Sequence, residues 1–501
     1  MVAGPRKKRR YFVYNFFVSR RRRHTELRRD WSSDVCSSDL MSNNEYDIII
    51  IGSGPAGISA ATLADHHKAR VLVLDENCAP GGQLYRAIEK NQKNDNEWLG
   101  QSYQDGLPLV EAFRESHVNY QRSAKVWHLS NDKVVHYSVN GKAYAAKGRQ
   151  ILIATGAQER PFPIPGWTLN GVMSAGAAQI LLKESGVVCE NAVFVGTGPL
   201  LYLIAHQYIS AGIAIKAIID TTPRGNYLRA IKYVFGALGS IKNILQGWRW
   251  KREIIRSGTL YIYNISDVKI NGINSVVSVE YCQKGKWKNI DCKYVFLHQG
   301  ITPEINTSLS AGCNKSWNER QACWTIDIDQ YGQSSVKGIS VAGDASSIAG
   351  GVAAAQRGSI AALNMLCNID IISSNNREVF SKPFKRKLNA EMAARPFIDT
   401  LFRPHSRYRV PTSSNTIICR CEEVTLAQIQ ESIALGCKGP SQLKSFTRCG
   451  MGPCQGRLCG LSVSEILAKE LRVSAKQIGY YKIRPPIKPV TLGELASLDE
   501  V

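Results

Sequence analysis

The chain has 501 residues, 44% of them hydrophobic, and its 63 Lys and Arg against 41 Asp and Glu give a net charge of +22. This length allows roughly three or four domains of about 100–200 residues, each with its own apolar core. No stretch reaches the roughly 18 apolar residues that a membrane helix needs, so we predict no transmembrane segment. Most of the 14 cysteines are scattered singly, which is typical of a reducing compartment. We therefore expect a cytoplasmic protein, with peripheral attachment at the inner face of the membrane as the alternative.

The first 40 residues are treated separately because they are basic and show no helical or strand period. They hold 11 Lys and Arg against 4 Asp and Glu, so the rest of the chain keeps about +15 of the +22. A secretory signal is disfavoured, since the apolar part is short and four arginines follow it. A nucleic-acid-binding tail is an interpretation from charge alone. In a third interpretation, residues 20–40 resemble translated sequencing-adapter read-through that is joined to a gene starting at Met41. We therefore expect residues 1–40 to be a non-native or disordered tail.

A dinucleotide-binding fingerprint opens the ordered part of the chain. An apolar strand, Tyr46–Ile51, leads into a glycine-rich turn and a helical stretch, and a second strand ends in two acidic residues. The first glycine of such a turn permits the tight bend, the second lets a pyrophosphate approach, and the third lets helix and strand pack. The helix N-terminus then faces the phosphates and the acid takes the ribose hydroxyls. The residues predicted to act in this way are Gly52, Gly54, Pro55, Ala56, Gly57, Asp75 and Glu76.

Three further segments complete the prediction of a flavin site. They are a glycine pair after the second strand, a strand that ends in a small-residue turn, and a late strand that ends in an acid and a second glycine pair. The added cofactor-binding candidates are Gly82, Gln83, Ala154, Thr155, Gly156, Gly343, Asp344, Gly351 and Val352. Together these segments resemble the flavoprotein disulfide reductase superfamily over about residues 45–370. The resemblance implies that FAD is bound by the first and last segments, with Asp344 on the ribityl chain. No CxxC or CxxxxC pair lies near a flavin segment, which argues against a dithiol-disulfide reductase.

A second strand–glycine–helix unit follows, with Gly196, Gly198 and a distal Asp220 as the predicted nucleotide-binding residues. Leu201 replaces the third glycine and should push helix and strand apart. Two interpretations of this turn therefore remain: it binds NAD(H) or another nucleotide, or it is a relic of the fold that binds none. If a nicotinamide binds, Asp220 would favour NAD over NADP by repelling a 2′-phosphate. We predict residues 222–256 to be a surface helix pair or a subunit contact.

Four cysteines near the C-terminus form a metal-binding pattern. Cys419 and Cys421 make a CxC pair, and 27 residues separate it from the CxxxxC pair of Cys449 and Cys454. Two thiolate pairs on facing loops hold either zinc or a [2Fe–2S] cluster. The spacing and the free N–H groups of Gly450 and Gly452 favour the cluster. Thr425 and Gln428 form a capping box between the pairs.

The surroundings of this pattern supply further expectations. Arginines at 420, 448 and 457 and a helix starting near Gln455 should stabilise the reduced cluster. Cys437 and Cys459 lie outside the pattern and are predicted to be buried thiols.

Residues 413–480 resemble the bacterioferritin-associated-ferredoxin type of [2Fe–2S] domain. With the flavoprotein body and the tail IRPPIKPVTLGELASL, residues 41–501 resemble the flavoprotein family that groups the A subunit of opine oxidase with the B subunit of hydrogen cyanide synthase. The resemblance implies an electron-transfer subunit of a heteromeric amino-acid or secondary-amine dehydrogenase. Its partners would be an amino-acid-oxidase-like flavoprotein, a respiratory acceptor and a small ferredoxin-like subunit. The alternatives are a stand-alone NAD(P)H:acceptor oxidoreductase and a zinc-bound interaction protein without enzymatic activity. No general base or substrate-carboxylate clamp is evident, and no nucleic-acid motif is present.

The predicted fold class is α/β, with two Rossmann-like dinucleotide-binding domains and a small, mainly helical [2Fe–2S] domain. The predicted boundaries are 1–40 for the tail, 41–165 and 296–375 for the two parts of the FAD-binding domain, 166–295 for the second dinucleotide-binding-like domain, 376–412 for a linker, 413–480 for the [2Fe–2S] domain and 481–501 for the C-terminal tail.

Overall fold

The protein structure, a computed structural model, describes residues 45–93, 97–237 and 241–498. The predicted N-terminal tail, 1–40, lies outside the described residues. The strands are β1 Glu45–Ile51, β2 Val71–Leu74, β3 Asn119–Gln121, β4 Lys125–Leu129, β5 Val134–Val139, β6 Lys142–Ile153, β7 Ala157–Glu159, β8 Val172–Ser174, β9 Ala192–Thr197, β10 Ile215–Asp220, β11 Leu260–Ile262, β12 Ile265–Gly272, β13 Val276–Gln283, β14 Lys286–Asp291, β15 Val295–Gln299, β16 Ile301–Pro303, β17 Lys315–Asn318, β18 Cys323–Ile326, β19 Ile339–Val341, β20 Ile417–Cys419 and β21 Val424–Thr425.

The α-helices complete the element order. They are α1 Pro55–His66, α2 Ile88–Lys93, α3 Gln101–Gln104, α4 Leu107–Arg114, α5 Ala175–Ser185, α6 Pro199–Ser210, α7 Arg224–Ile231, α8 Val234–Ala237, α9 Ile241–Arg256, α10 Asn306–Ser310, α11 Gly351–Asn368, α12 Ser374–Ala393, α13 Arg395–Leu401, α14 Ser406–Arg409, α15 Leu426–Ala434, α16 Pro440–Thr447, α17 Gly460–Glu470, α18 Ala475–Ile478 and α19 Leu492–Ala496. None of the described helices combines the length and the apolarity needed to cross a bilayer.

The first domain is built on a seven-stranded sheet in the order β3-β2-β1-β6-β5-β4, with β19 beside β6. Strands β1, β2, β6 and β19 run parallel. The side chains of Ile48, Ile49 and Ile50 are fully buried. A continuous apolar run of this kind is what a parallel strand covered on both faces requires.

The second domain repeats the design with a five-stranded parallel sheet in the order β11-β10-β9-β15-β8. The antiparallel sheet β12-β13-β14 lies in the chain between β11 and β15. The parallel strands of the two sheets, with their helical crossovers, confirm the predicted α/β class with two Rossmann-like domains. The chain passes between the two domains through β7 and β16, which pair as a short antiparallel ribbon.

Helices α1 and α11 cross so closely that their backbones touch. A Cβ atom added to Gly358 of α11 would lie 2.0 Å from the carbonyl oxygen of Ala56 in α1. Only glycine fits at such a crossing. The contact fixes the N-termini of both helices at the same edge of the first sheet.

Two local predictions differ from the structure. The predicted linker 376–412 is largely helical, because it holds α12, α13 and α14. Its polar composition suggested a linker, but α12 packs on α11 and buries Ser381, while its other faces meet solvent. Pro396 sits in the first turn of α13, where proline needs no hydrogen-bond partner. The predicted helix pair at 222–256 is three helices, α7, α8 and α9.

The α1–α11 crossing generates a stability prediction. We expect Gly358→Ala to lower the free energy of unfolding by about 1–3 kcal/mol, because the added methyl forces the two backbones apart. The measurement is urea unfolding followed by circular dichroism. Gly247→Ala in α9 is the matched control, since nothing lies within 4 Å of its added Cβ. It should be neutral or stabilise by up to about 1 kcal/mol, and equal losses in both variants would contradict the crossing argument.

Candidate functional site

The first glycine turn has the geometry that a dinucleotide needs. A Cβ on Gly52 would lie 2.5 Å from the Ala154 carbonyl oxygen, and one on Gly57 would lie 1.8 Å from that of Gly52. Both glycines are therefore required for packing. Gly54 differs, because its added Cβ would meet only the Cα of Gly82, at 4.0 Å. The space beside Gly54 is open to a pyrophosphate, and α1 begins there without a side-chain cap, which leaves its first N–H groups for phosphate oxygens.

The two acidic residues after β2 point in different directions. Asp75 is buried, and its Oδ2 accepts hydrogen bonds from the Ser53 backbone N (2.5 Å) and Oγ (2.7 Å). Its Oδ1 accepts from the Asn77 backbone N at 2.7 Å. Asp75 thus braces the glycine turn from inside. Glu76 is more than half exposed and contacts the ammonium group of Lys488 in the C-terminal tail.

The late acid lies where the sequence predicted it. Asp344 follows β19, and its Oδ1 accepts hydrogen bonds from the backbone N of Ala349 (2.8 Å) and of Gly350 (3.1 Å). These bonds fold the loop that leads into α11. Its other oxygen, Oδ2, makes no hydrogen bond to the residues that the structure describes. It is available to a hydroxyl such as that of a ribityl chain.

The predicted flavin segments converge at the carboxyl edge of the first sheet. Gly343 lies against Ala56, and an added Cβ on Gly351 would come 2.1 Å from the Leu84 side chain. The strand end at 154–156 touches Gly52, as described above, and Gln83 accepts a hydrogen bond from Arg86 at 3.1 Å. The open space at Gly54, the uncapped helix α1 and the free oxygen of Asp344 fit FAD.

The acidic residue of the second glycine turn, Asp220, is enclosed by protein groups. The carboxylate of Asp220 is 98% buried and accepts hydrogen bonds from Tyr202 (2.7 Å), Tyr261 (2.5 Å) and the backbone N of Thr222 (2.8 Å). Leu201, in place of the third glycine, is fully buried in the domain core. The structure therefore does not leave Asp220 open to a ribose, contrary to the predicted role of this residue in selecting NAD.

The other two predicted residues of that turn pack against β15. A Cβ on Gly196 would lie 1.8 Å from the His298 carbonyl oxygen, and one on Gly198 would lie 3.3 Å from His298 Nε2. The imidazole of His298 is buried, and its Nδ1 lies 2.6 Å from Glu159 Oε1. Sequence reasoning did not single out this pair, because β7 and β15 meet only in the folded chain.

The C-terminal cysteines gather in the folded module. The sulfur atoms of Cys419, Cys449 and Cys459 lie within 4.8 Å of one another, and all three residues are buried. Cys421 interacts electrostatically with Cys454 and with Cys419 of this group. Gly452 allows the approach, since its added Cβ would lie 2.3 Å from that of Cys421. Three buried thiols therefore form one site, and with the neighbouring Cys421 and Cys454 they make up a five-thiol group.

Two predictions about this module need correction. Cys459 was expected to lie outside the metal-binding pattern, whereas its sulfur joins those of Cys419 and Cys449. The cause is that no helix starts near Gln455. That residue has a left-handed backbone with φ of 52°, and α17 begins at Gly460 with Cys459 as its N-cap. The extra turn brings Cys459 back to the site, while the capping box of Thr425 and Gln428 is confirmed.

The three close thiols shift one another's pKa values in opposite directions. Hydrogen bonds from Cys449 and Cys459 hold the pKa of the Cys419 thiol well below its usual value. The contact with Cys419 raises the pKa of Cys449 to about 12 and also raises the pKa of Cys459 above its usual value. Buried thiolates that are this close are suited to a metal ion or an iron–sulfur cluster.

The three nearby arginines have partners of their own. Arg448 pairs with Glu422 at 3.2 Å, and Arg457 pairs with Glu304 at 3.1 Å. Arg420 lies 5.2 Å above the Trp167 ring. Because two of the three charges are neutralised by carboxylates, the positive field at the thiols is smaller than the sequence suggested.

The cysteine module is docked directly on the flavin site. Glu304, which Arg457 binds, donates its backbone N–H to the Gly156 carbonyl at 3.0 Å. Gln158 Nε2 donates to the Arg457 carbonyl at 2.8 Å, and Asn306 Nδ2 donates to the Gln455 carbonyl at 2.9 Å. The contacts join the loop that carries Cys454 to the strand end at Gly156.

Comparisons with known proteins agree with this geometry. The family model "Pyridine nucleotide-disulphide oxidoreductase" matches residues 46–226, and "Sarcosine oxidase A3 domain" matches residues 413–498. The A subunit of opine oxidase from Rhizobium meliloti is 41% identical over 462 residues, covering 90% of this chain and 88% of the relative. The chain belongs to the family of opine oxidase A subunits. This confirms the family inferred from the sequence and makes the protein an oxidoreductase.

A more distant relative and a solved structure each match 90% of this member of the opine oxidase family. The hydrogen cyanide synthase subunit HcnB of Pseudomonas protegens is 27% identical and covers 90% of this chain and 98% of the relative. The crystal structure of L-proline dehydrogenase from P. horikoshii superposes with a TM-score of 0.65 at 20% identity, over 90% of this chain and 79% of that one. The latter likeness supports the fold.

The five-thiol group predicts a pattern of metal loss. We expect four of the five single variants Cys419→Ser, Cys421→Ser, Cys449→Ser, Cys454→Ser and Cys459→Ser to lose bound metal, because a four-ligand site leaves one thiol over. Metal content and visible absorbance of the purified variants provide the measurement. Cys437→Ser is the control, since that buried thiol contacts the Gly439 carbonyl instead of the group. Full metal content in all five variants would show that the group holds none.

Proposed function

We propose that this protein is the FAD- and [2Fe–2S]-containing electron-transfer subunit of a heteromeric enzyme that oxidises opines or related secondary amines. An amino-acid-oxidase-like partner oxidises the C–N bond, and this chain passes the electrons to a respiratory acceptor. The identity to the A subunit of opine oxidase supports the substrate class. The cofactors are proposed from the fit of the glycine turns and Asp344 and from the five-thiol group.

The contact between Arg457 and Glu304 is the observation that carries this role. It joins the loop of Cys454 to the residue that is bonded to Gly156 of the proposed flavin site. A flavin supplies two-electron chemistry and a cluster accepts electrons singly, so the pair needs a short and fixed separation. The chain provides this by holding the cysteine module against the strand end through side chains that are about 85% buried.

The core packing adds to the same argument. Leu461 of α17 and Tyr480 pack in the hydrophobic cluster that contains Ile49 and Ile151 of the first sheet. The module therefore shares a core with the flavin domain. Electron transfer within one chain requires rigid attachment of the two sites. A zinc-bound interaction protein does not require it.

Reduction by a nicotinamide is less well supported. Asp220 is closed off by two tyrosines, and Leu201 occupies the place of the third glycine. We therefore favour the electron-transfer subunit over a stand-alone NAD(P)H reductase.

An anaerobic titration of the purified protein tests the proposed function. We expect NADH to leave the flavin oxidised, and dithionite to bleach the flavin and produce the electron paramagnetic resonance signal of a reduced cluster. With the co-expressed oxidase-like subunit present, an opine substrate should give the same two signals. Rapid bleaching by NADH alone would identify a stand-alone reductase, and a colourless protein with bound zinc would remove the electron-transfer role.

Docking of the module gives a second prediction. We expect Arg457→Gln to destabilise the protein by about 3–5 kcal/mol, because Glu304 is left as an unpaired, mostly buried charge. The same variant should slow the appearance of the cluster signal after flavin reduction, measured by rapid freezing. Part of the stability should return in the double variant with Glu304→Gln. Arg448→Gln is the control: it breaks an exposed pair of the same module, where less than about 1 kcal/mol is expected. Equal losses from Arg457→Gln and Arg448→Gln would contradict the docking role.

A further inference from the structure

The C-terminal segment of the chain lies across the first domain. The backbone N–H of Ile487 donates to the Trp127 carbonyl at 2.8 Å, and Ile487 is fully buried. Further along, the hydroxyl oxygen of Ser497 accepts a hydrogen bond from the backbone N of Ala143 at 2.9 Å, and α19 packs on β6. We call residues 487–497 the C-terminal strap. Both of its ends are anchored on strands of the first sheet.

Lys488 extends from the strap to the two acids that follow β2. Its ammonium group contacts the Glu76 carboxylate, and only 27% of the Lys488 side chain is exposed. Burial lowers the pKa of Lys488, while the negative charge of Asp75 acts in the opposite direction. A lysine that is largely removed from water needs carboxylates beside it. The strap thus places one positive charge next to both acids.

Glu76 is the acid that remains available to a ligand. Asp75 is buried and bonded to the first glycine turn, whereas 56% of the Glu76 side chain is exposed. Lys488 contacts the Oε2 atom of Glu76, and among the described residues no hydrogen bond reaches its Oε1 atom. An acid at this position of the fingerprint accepts the ribose hydroxyls of a dinucleotide. One oxygen of Glu76 is therefore held by the strap while the other is open to a ribose.

An adenosine ribose on Glu76 would remove water from a carboxylate. A carboxylate that loses its water without an opposite charge beside it is strongly destabilised. Lys488 supplies that opposite charge. The pair therefore lets a cofactor cover Glu76 at a lower free-energy cost than an isolated carboxylate would.

The position of Lys488 is set by the docked cysteine module. The Ile487 carbonyl accepts a hydrogen bond from the Arg457 guanidinium at 2.8 Å, and Tyr481, shortly before the strap, is buried in the core of the module. Ile487 is thus bonded on one side to Trp127 and on the other to Arg457. Because Lys488 is the next residue, its backbone is held in one place against the first domain.

We propose that the C-terminal strap completes the FAD site, with Lys488 as a positioning residue that holds Glu76 for the adenosine ribose. Retention of FAD then depends on a lysine that lies 412 residues beyond the acid it contacts. Because linkage is reciprocal, bound FAD also strengthens the attachment of the strap. The proposal rests on the FAD site of the proposed function, but it concerns the affinity for the cofactor and involves no electron transfer.

The rate of FAD release from the full holoprotein tests the proposal. The protein is diluted, and the flavin that passes an ultrafiltration membrane is followed by its fluorescence. We expect Lys488→Gln to release FAD about tenfold faster than the wild-type protein, because the loss of one partner of a desolvated charge pair acts mainly on the dissociation rate. Lys488→Arg keeps the charge and should restore most of the retention. Lys482→Gln is the control, since Lys482 is an exposed lysine of the same tail, and its release rate should be that of the wild type.

A double variant separates the charge pair from general loosening of the strap. In a Glu76→Gln background, Lys488→Gln should add little to the release rate, because its partner is already neutral. A further large increase, or a failure of Lys488→Arg to restore retention, would overturn the positioning role. If circular dichroism shows that Lys488→Gln does not fold, deletion of residues 488–501 decides the question: it should speed release at least as much, and wild-type retention would contradict the role of the strap.

Failure of this inference is distinct from failure of the proposed function. Equal release rates from the wild type, Lys488→Gln and Lys482→Gln would overturn the role of the strap and leave the FAD site standing. A wild-type protein that neither contains FAD nor takes it up would overturn the proposed function, and this inference with it.

Discussion

One guanidinium group joins the first domain, the cysteine module and the C-terminal tail of this protein. Arg457 pairs with Glu304 of the flavin domain and donates to the carbonyl oxygens of Cys454 and Ile487. It thereby joins the strand end at Gly156, a cysteine loop and the C-terminal tail. Because a mostly buried charge needs an opposite charge beside it, the pair with Glu304 fixes the relative position of all three.

The two dinucleotide-binding domains share one backbone design but differ in how their acidic residues are bonded. In both, a strand leads through glycines to a helix, and the next strand ends in an aspartate whose carboxylate is satisfied by the protein. Asp75 is bonded to the turn itself, and the neighbouring Glu76 remains accessible. Asp220 is bonded to Tyr202 and Tyr261, with no second acid beside it. Glu76 beside the first turn can therefore still bind a ribose, whereas Asp220 beside the second turn is part of the domain core.

Local patterns predicted the fold well, because strands such as Tyr46–Ile51 and their glycine turns depend on residues that are close in sequence. The expected β1 and α1 units, the late Asp344 turn and the capping box at Thr425 all have this character. Cys459 was missed because its place in the cysteine group depends on a left-handed residue, Gln455, that no spacing rule anticipates. The predicted linker was wrong for a related reason, since α12 owes its stability to packing on α11.

The ribbon of β7 and β16 explains how the cysteine module is positioned relative to the predicted flavin segments. At one end, Glu304 bonds to Gly156 and holds Arg457. At the other end, the backbone N–H of Arg160 donates to the Gly300 carbonyl at 2.9 Å. Four residue steps separate these ends, which is about 13 Å in a strand. The cysteine module is thus docked on a ribbon that hydrogen bonds hold at both ends, which gives the module one fixed position on the first domain.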